Sequence, residues 1–219
     1  MGSITRSFAN NITTSGVLLP ASLTNNSIAN VTAYNAAVAT GNMVLISSQT
    51  ASNSASLSFT TGINSTYKEY QFWFIDVRPR TNDVPFTFNM STDSGSNYNV
   101  TKTTTQFTVY HSEADTATAL AYVDGRDMAQ GTGFAQISST IGTEADKLLV
   151  GTLNLFNPAS TTYVKHFIST VNHNTDDGNE LSRGDFTAGY GNTTSAINAI
   201  QFKMDSGNMD GTILMFGIV

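Results

Sequence analysis

A chain of 219 residues, 40% hydrophobic and 12% charged with no cysteine, is long enough to bury one sizeable core and short for two. Ser (23), Thr (32) and Asn (21) stand where surface helices would carry Glu, Lys and Arg, which excludes a helical bundle and points to an all-β fold. Ten Lys plus Arg against 16 Asp plus Glu give a net charge of -6 without a basic cluster, so nucleic acid is not an expected partner, and no thiol is available for disulfides, metal ligation or nucleophilic attack.

Residues 1 to 42 are rich in Ser, Thr, Asn and Ala, with apolar residues too sparse to form a core. They read as an N-terminal extended arm that docks on a neighbour through Val17, Leu18, Leu19, Ile28, Val31 and Tyr34, or as a leader covering the main domain. The arm lacks the continuous apolar run of a signal peptide, and no stretch of the chain approaches eighteen apolar residues, so no membrane partner is expected.

From Met43 the period changes to two, marking a single domain over residues 43–219. Val84, Phe86, Phe88 and Met90 alternate with Pro85, Thr87 and Asn89, the pattern of a strand with one buried face, with Pro85 at an edge or entry position. Further strands are expected near 44–48, 55–60, 69–78, 98–110, 117–123, 148–156, 163–172, 185–190, 197–204 and 211–218. Tyr70 to Val77 is apolar on both faces and reads as a central strand covered on two sides, with Trp73 in the core. The tract Thr101 to Thr105 reads as the exposed face of a strand, and residues 111 to 147 carry the weakest pattern, suiting a long loop or a short helix. Turn residues at 91–95, 124–125, 176–178, 206–208 and 210–211 separate these runs. The expected fold is an antiparallel two-sheet β-sandwich, jelly-roll-like, with Phe72, Trp73, Phe74, Phe86, Phe88, Leu153, Leu155, Phe202 and Phe216 in one core.

Chemistry has few footholds. His166 alternates with Val164 and Ile168 and reads as a half-buried structural residue, while His111 and His173 fall at strand ends or in loops. There is no Gly-x-Ser-x-Gly elbow, although a triad drawn from distant loops is open to any fold. Asp176, Asp177 and Glu180 with Asn174 or Asn179 form the densest oxygen cluster, which reads first as a turn and second as a site for a hard cation. Tyr98, Tyr110, Tyr122, Tyr163 and Tyr190 are free to meet a sugar, but their spacing forms no row. No enzyme activity, cofactor or metal is expected.

Several stretches taken together resemble a known group. These are Val44-Leu-Ile-Ser-Ser-Gln-Thr-Ala-Ser52, Ile63-Asn-Ser-Thr-Tyr-Lys-Glu-Tyr70, Ser91-Thr-Asp-Ser-Gly-Ser-Asn-Tyr98, Leu155-Phe-Asn-Pro-Ala-Ser-Thr-Thr162, Ile200-Gln-Phe-Lys-Met-Asp-Ser-Gly-Asn-Met209 and Gly211-Thr-Ile-Leu-Met-Phe-Gly-Ile218. Over residues 43–219 the chain resembles virion-associated proteins of marine tailed phages, with Phe216 where the closing stretch usually has Tyr. The resemblance implies a β-sandwich structural protein located in the virion, on head decorations, knobs or tail fibres, without a known enzyme activity. Two functional expectations follow. One is a capsid-decorating protein anchored by its arm, forming a homo-oligomer such as a trimer and contacting other capsid or tail proteins. The other is a tail-fibre or host-attachment module that binds surface glycans through loops 91–98, 124–133 and 172–184.

Overall fold

The computed structural model describes residues 42–175 and 180–219. The arm, with Val17, Leu18, Leu19, Ile28, Val31 and Tyr34, lies outside the described residues. The described chain is all-β: β1 (Met43–Ser54), β2 (Leu57–Phe59), β3 (Glu69–Pro79), β4 (Val84–Ser91), β5 (Lys102–Ser112), β6 (Thr118–Tyr122), β7 (Ala135–Ile141), β8 (Leu149–Phe156), β9 (Lys165–Thr175), β10 (Leu181–Gly191), β11 (Ala199–Met204) and β12 (Met209–Ile218). A single 3-10 turn, Asp124–Arg126, is the one helical element among the described residues, and no described helix is long and apolar enough to cross a membrane.

The strands form two antiparallel sheets, ordered β1-β12-β3-β8-β9-β10-β5-β6 and β2-β11-β4-β7. Eight strands pair in a nested way: β1 with β12, β2 with β11, β3 with β8 and β4 with β7. A chain that folds as one long hairpin and then wraps around gives this nesting, the double Greek key of a jelly roll. Its sheets are β1-β12-β3-β8 and β2-β11-β4-β7. The two insertions, β5-β6 between β4 and β7 and the β9-β10 hairpin between β8 and β11, both add to the larger sheet and extend it beyond the sandwich.

Between the sheets lies an aromatic core. Phe202 on β11 has ring-centroid distances of 5.3 Å to Phe72, 5.2 Å to Phe74 and 5.9 Å to Phe86, and Phe59 and Phe88 complete the cluster. In β4 the expected apolar face, Val84, Phe86, Phe88 and Met90, is buried, but the strand does not have one buried face alone: Thr87 and Asn89 opposite are also fully buried, held by hydrogen bonds to the carbonyls of Lys203 and of Tyr98, Thr132 and Gly133. Pro85 sits in an interior strand at its entry, where a register shift between Pro85 and Thr87 leaves its missing N–H without cost. Gly211, with φ of +123°, faces the bulge in β3, where a Cβ would come within 2.7 Å of the Val77 Cα and 2.8 Å of the Asp76 carbonyl oxygen.

Several expectations fail here. Trp73 is 37% exposed and Phe216 only half-buried; they pack together at 5.0 Å on the outer side of the large sheet, so β3 is covered on its Tyr70, Phe72, Phe74 face alone. In β9 the faces are reversed: Lys165 and Phe167 point inward and His166 and Ile168 outward. Residues 111–147 hold β6 and β7, not an α-helix. In the Thr101 to Thr105 tract, Lys102 and Thr104 are buried and Thr103 and Thr105 face outward.

Candidate functional site

Across the extension β9-β10-β5 residue alternation holds; on β10 and β5 its polarity is inverted, and on β9 the inward face mixes the apolar Phe167 and Val171 with polar residues. The inward face carries Ser169, His173 and Thr175 of β9, Asp185 and Thr187 of β10, and Gln106 and Thr108 of β5, all buried. They are covered by Ser138 and Ser139 of β7 and by the segment with Arg126 and Met128. Burying polar side chains costs stability unless their hydrogen bonds are met, and Asp185 is the centre of the bonds made here, while the side-chain polar atoms of Gln106, Thr175 and Thr187 have no partner. Its Oδ2 accepts from the Ser139 N–H at 2.6 Å and contacts His173 Nε2 at 2.9 Å, while Arg126 and Arg183 lie 3.8 and 3.7 Å from Oδ1. Burial works to raise the Asp185 pKa, but the His173 hydrogen bond and charge, the Ser139 N–H and Thr108 outweigh it and hold the carboxyl at about 2.

Ser139, His173 and Asp185 include the residue types of a catalytic triad without its geometry. Ser139 Oγ, at 3.2 Å, and Asp185 Oδ2 both meet His173 Nε2, and Nδ1 has no partner. A relay needs the carboxylate on one ring nitrogen and the nucleophile on the other. His173 thus sits inside a strand, buried, rather than at a strand end or in a loop as expected. His111 is exposed near the end of β5, and His166 is exposed rather than half-buried. Of the expected oxygen cluster, Asp176, Asp177 and Asn179 lie outside the described residues, and Glu180 pairs with Lys147. Among the described residues no three His, Cys, Asp or Glu side chains gather as a metal site requires.

A second buried feature lies at the other end of the extension. Lys102 and Lys165 flank Gly191 in register, each fully buried. Lys102 Nζ donates to Asn89 Oδ1 at 2.6 Å and to the Val100 carbonyl at 2.7 Å, and Lys165 Nζ donates to the Tyr163 carbonyl at 2.6 Å. Burial without a carboxylate pushes the Lys102 ammonium down to about 7.

The loops expected to meet a glycan are occupied by the fold's own contacts. In 91–98, Asp93 accepts from Ser91 Oγ at 2.7 Å, Asn97 N at 2.8 Å and Asn97 Nδ2 at 2.7 Å, and these bonds hold its carboxyl at about 2. Segment 124–133 covers the polar inward face. Of 172–184, residues 172–175 and 181–184 are the paired ends of β9 and β10, and 176–179 lie outside the described residues.

The outward face of the extension is the available surface. Adjacent strands bring Val150, Asn172, Gly184, Val109 and Leu120 into one row, and Thr152, Thr170, Phe186, Phe107 and Tyr122 into the next. Phe107 and Phe186 stack at 4.7 Å with planes 9° apart, forming a ridge. A hollow of about 590 Å³ with Gly151 and Gly184 in its floor lies on one side. Another of about 700 Å³, framed by Ile168, Ala188, Gly189, Tyr190 and His166, lies on the other. Ile168 is 52% exposed and Leu120 73%. The described outward strand positions of β8, β9, β10, β5 and β6 carry no formal charge, whereas the neighbouring β3 and β12 carry Glu69, Asp76, Arg78 and Asp210. The row of aromatics that sequence spacing did not show is assembled by strand pairing: Phe107, Phe186 and Tyr122 come from three strands. Tyr98 and Tyr110 are only partly exposed, and Tyr163 is exposed away from this row.

Compared with known proteins, the chain matches no family model, no curated sequence and no solved structure.

Proposed function

We propose that the chain is a structural protein of a tailed-phage particle, an oligomeric decoration of the capsid surface anchored by residues 1–42. The observation that carries this reading is the broad, nearly charge-free outer face, with large apolar side chains exposed on it, that the two insertions build onto a jelly roll. A protein that acts alone in water gains nothing from exposing Phe107, Ile168, Val150 and Leu120 together, whereas a subunit in an assembly buries such a face. The resemblance of residues 43–219 to virion proteins agrees with it. A second reading, a tail-fibre module that binds host glycans, draws on the Phe107–Phe186 stack and on Tyr122 and Tyr190, which offer flat rings to a sugar.

The arm provides the test. Ordering some forty residues costs on the order of 1–2 kcal/mol each in backbone entropy, so the apolar anchors must find compensating burial on a neighbour. Deleting residues 1–40 is expected to leave a cooperatively folded sandwich that no longer loads onto particles, with electron microscopy of intact particles locating the full chain on the capsid. Full occupancy by the truncated protein would place attachment on the sandwich. Failure of the truncated protein to fold would assign the arm to the domain's own core.

A further inference from the structure

We infer that the outward face of β8-β9-β10-β5-β6 is the contact between two copies of this chain, packed sheet on sheet about a two-fold axis. The inference rests on the reading of the chain as an assembly subunit and names the surface through which it assembles.

Three features choose a second copy as the occupant. The first is charge. The protein carries a net charge of -6, yet its 16 acidic and 10 basic residues leave this face almost free of charge, Glu69 lying at its margin. Two copies can therefore approach here without the like-charge repulsion they would meet elsewhere, and the fully buried centre of a protein interface is depleted of charge in this way. The second feature is shape. A two-fold axis makes one patch its own complement. The Phe107–Phe186 ridge runs between two hollows of about 590 and 700 Å³, the first with Gly184 at an outward position in its floor. Turning one copy over the other sets each ridge into the partner's hollow, as facing sheets interdigitate in a sandwich about 10 Å thick.

The third feature is area. The five strands hold 8, 11, 11, 11 and 5 residues. At a strand spacing of about 4.8 Å and a rise of about 3.3 Å, they present roughly 700 Å² of sheet. Stable complexes bury about 800 Å² per partner, so the face is of the size a dimer needs.

Sedimentation velocity or native mass spectrometry on the full-length protein tests the contact. Wild type is expected to be dimeric at micromolar concentration. Ile168→Lys and Phe107→Lys each place a like charge opposite its own copy and are expected to weaken dimerisation at least about 30-fold, the effect of losing a central interface residue. Both side chains are largely exposed, so circular dichroism and the unfolding midpoint should stay near wild type. Tyr163→Lys, at a site that is exposed but off the face, should leave the dimer intact. A monomeric wild type overturns the inference, whether the face is then found covered by residues 1–41 or binding a neutral polysaccharide on an array. Dimers of unchanged strength in both Ile168→Lys and Phe107→Lys overturn it as well. Dimers that depend on Ile168 and Phe107 while the protein is absent from particles would leave this contact standing and defeat the proposed location.

Discussion

Removing the Phe202 ring tests where the core lies and how tightly it is built. The ring is fully buried, with centroids 5.2 to 6.3 Å from Phe59, Phe72, Phe74, Phe86 and Phe88, which sit on β2, β3 and β4. Because these neighbours belong to both sheets, they cannot all move into the space left by Phe202→Ala without disturbing strand pairing. Truncating a buried Phe costs about 3–5 kcal/mol, and the lost edge contacts move this site to the upper part of that range. For a domain of this size that corresponds to a fall in melting temperature of roughly 10–20 °C. Trp73→Ala removes a larger side chain that is already 37% exposed and leaves no enclosed cavity, so its cost should stay below about 2 kcal/mol. Urea unfolding with an unchanged m-value gives both numbers. A loss below about 1 kcal/mol for Phe202→Ala, or a larger loss for Trp73→Ala than for Phe202→Ala, would refute this placement of the core.

Two ionisable groups make stability rise with pH in two separate windows. Asp185, held at about 2 against an ordinary 3.8, stabilises the fold above about pH 4, and this contribution, about 2 kcal/mol, is lost as the pH falls towards 2. Asp185→Asn should be less stable at neutral pH and lose less on acidification, which urea midpoints between about pH 2 and 6 measure; parallel curves would contradict it. Lys102 acts at higher pH, where losing the proton relieves the cost of its buried charge. Below about 7 both states carry the proton, and between about 7 and 10.5 the unfolded chain binds it more, so stability rises with pH across that window. Lys102→Met lacks this rise, so urea midpoints should show the stability difference shifting in favour of wild type by at most about 1.4 kcal/mol per pH unit over that range; parallel curves would contradict it.

The sandwich half of the fold was legible because local pattern and tertiary role agree there. Val84 to Met90 alternates, and β4 buries those residues. Where burial depends on distant groups, the pattern misleads. The Ser-Ser-Thr of β7 reads as loop, yet Ser138 and Ser139 are buried because Asp185, 46 residues after Ser139, accepts its N–H. Lys165 is drawn inside by the carbonyls of Tyr163 and Thr193, leaving His166 to the solvent side. The apolar stretch from Tyr70 to Val77 is compatible with a strand covered on both faces and with one that keeps an apolar outer face, and periodicity cannot separate the two.

The extension shows the same limit in its strongest form. A one-residue slip of β10 would turn Phe186, Ala188 and Tyr190 inward and put Asp185 and Thr187 outside, an arrangement hydrophobic burial alone would favour. What opposes the slip is polar and specific. Asp185 ties β10 to β7 and β9, Arg183 Nε donates to Thr108 Oγ1 on β5 at 2.9 Å, and Gly191 fits between Lys102 and Lys165 at the sheet end. The cover over this face brings Arg126 and the Ser139 N–H, groups that a row of phenylalanines would leave unpaired at about 1–3 kcal/mol each. The polar layer therefore fixes the register, and the register sets the apolar side outward. A chain whose stability were its sole constraint would be better served by the reverse, so the orientation fits a surface that is completed by another molecule.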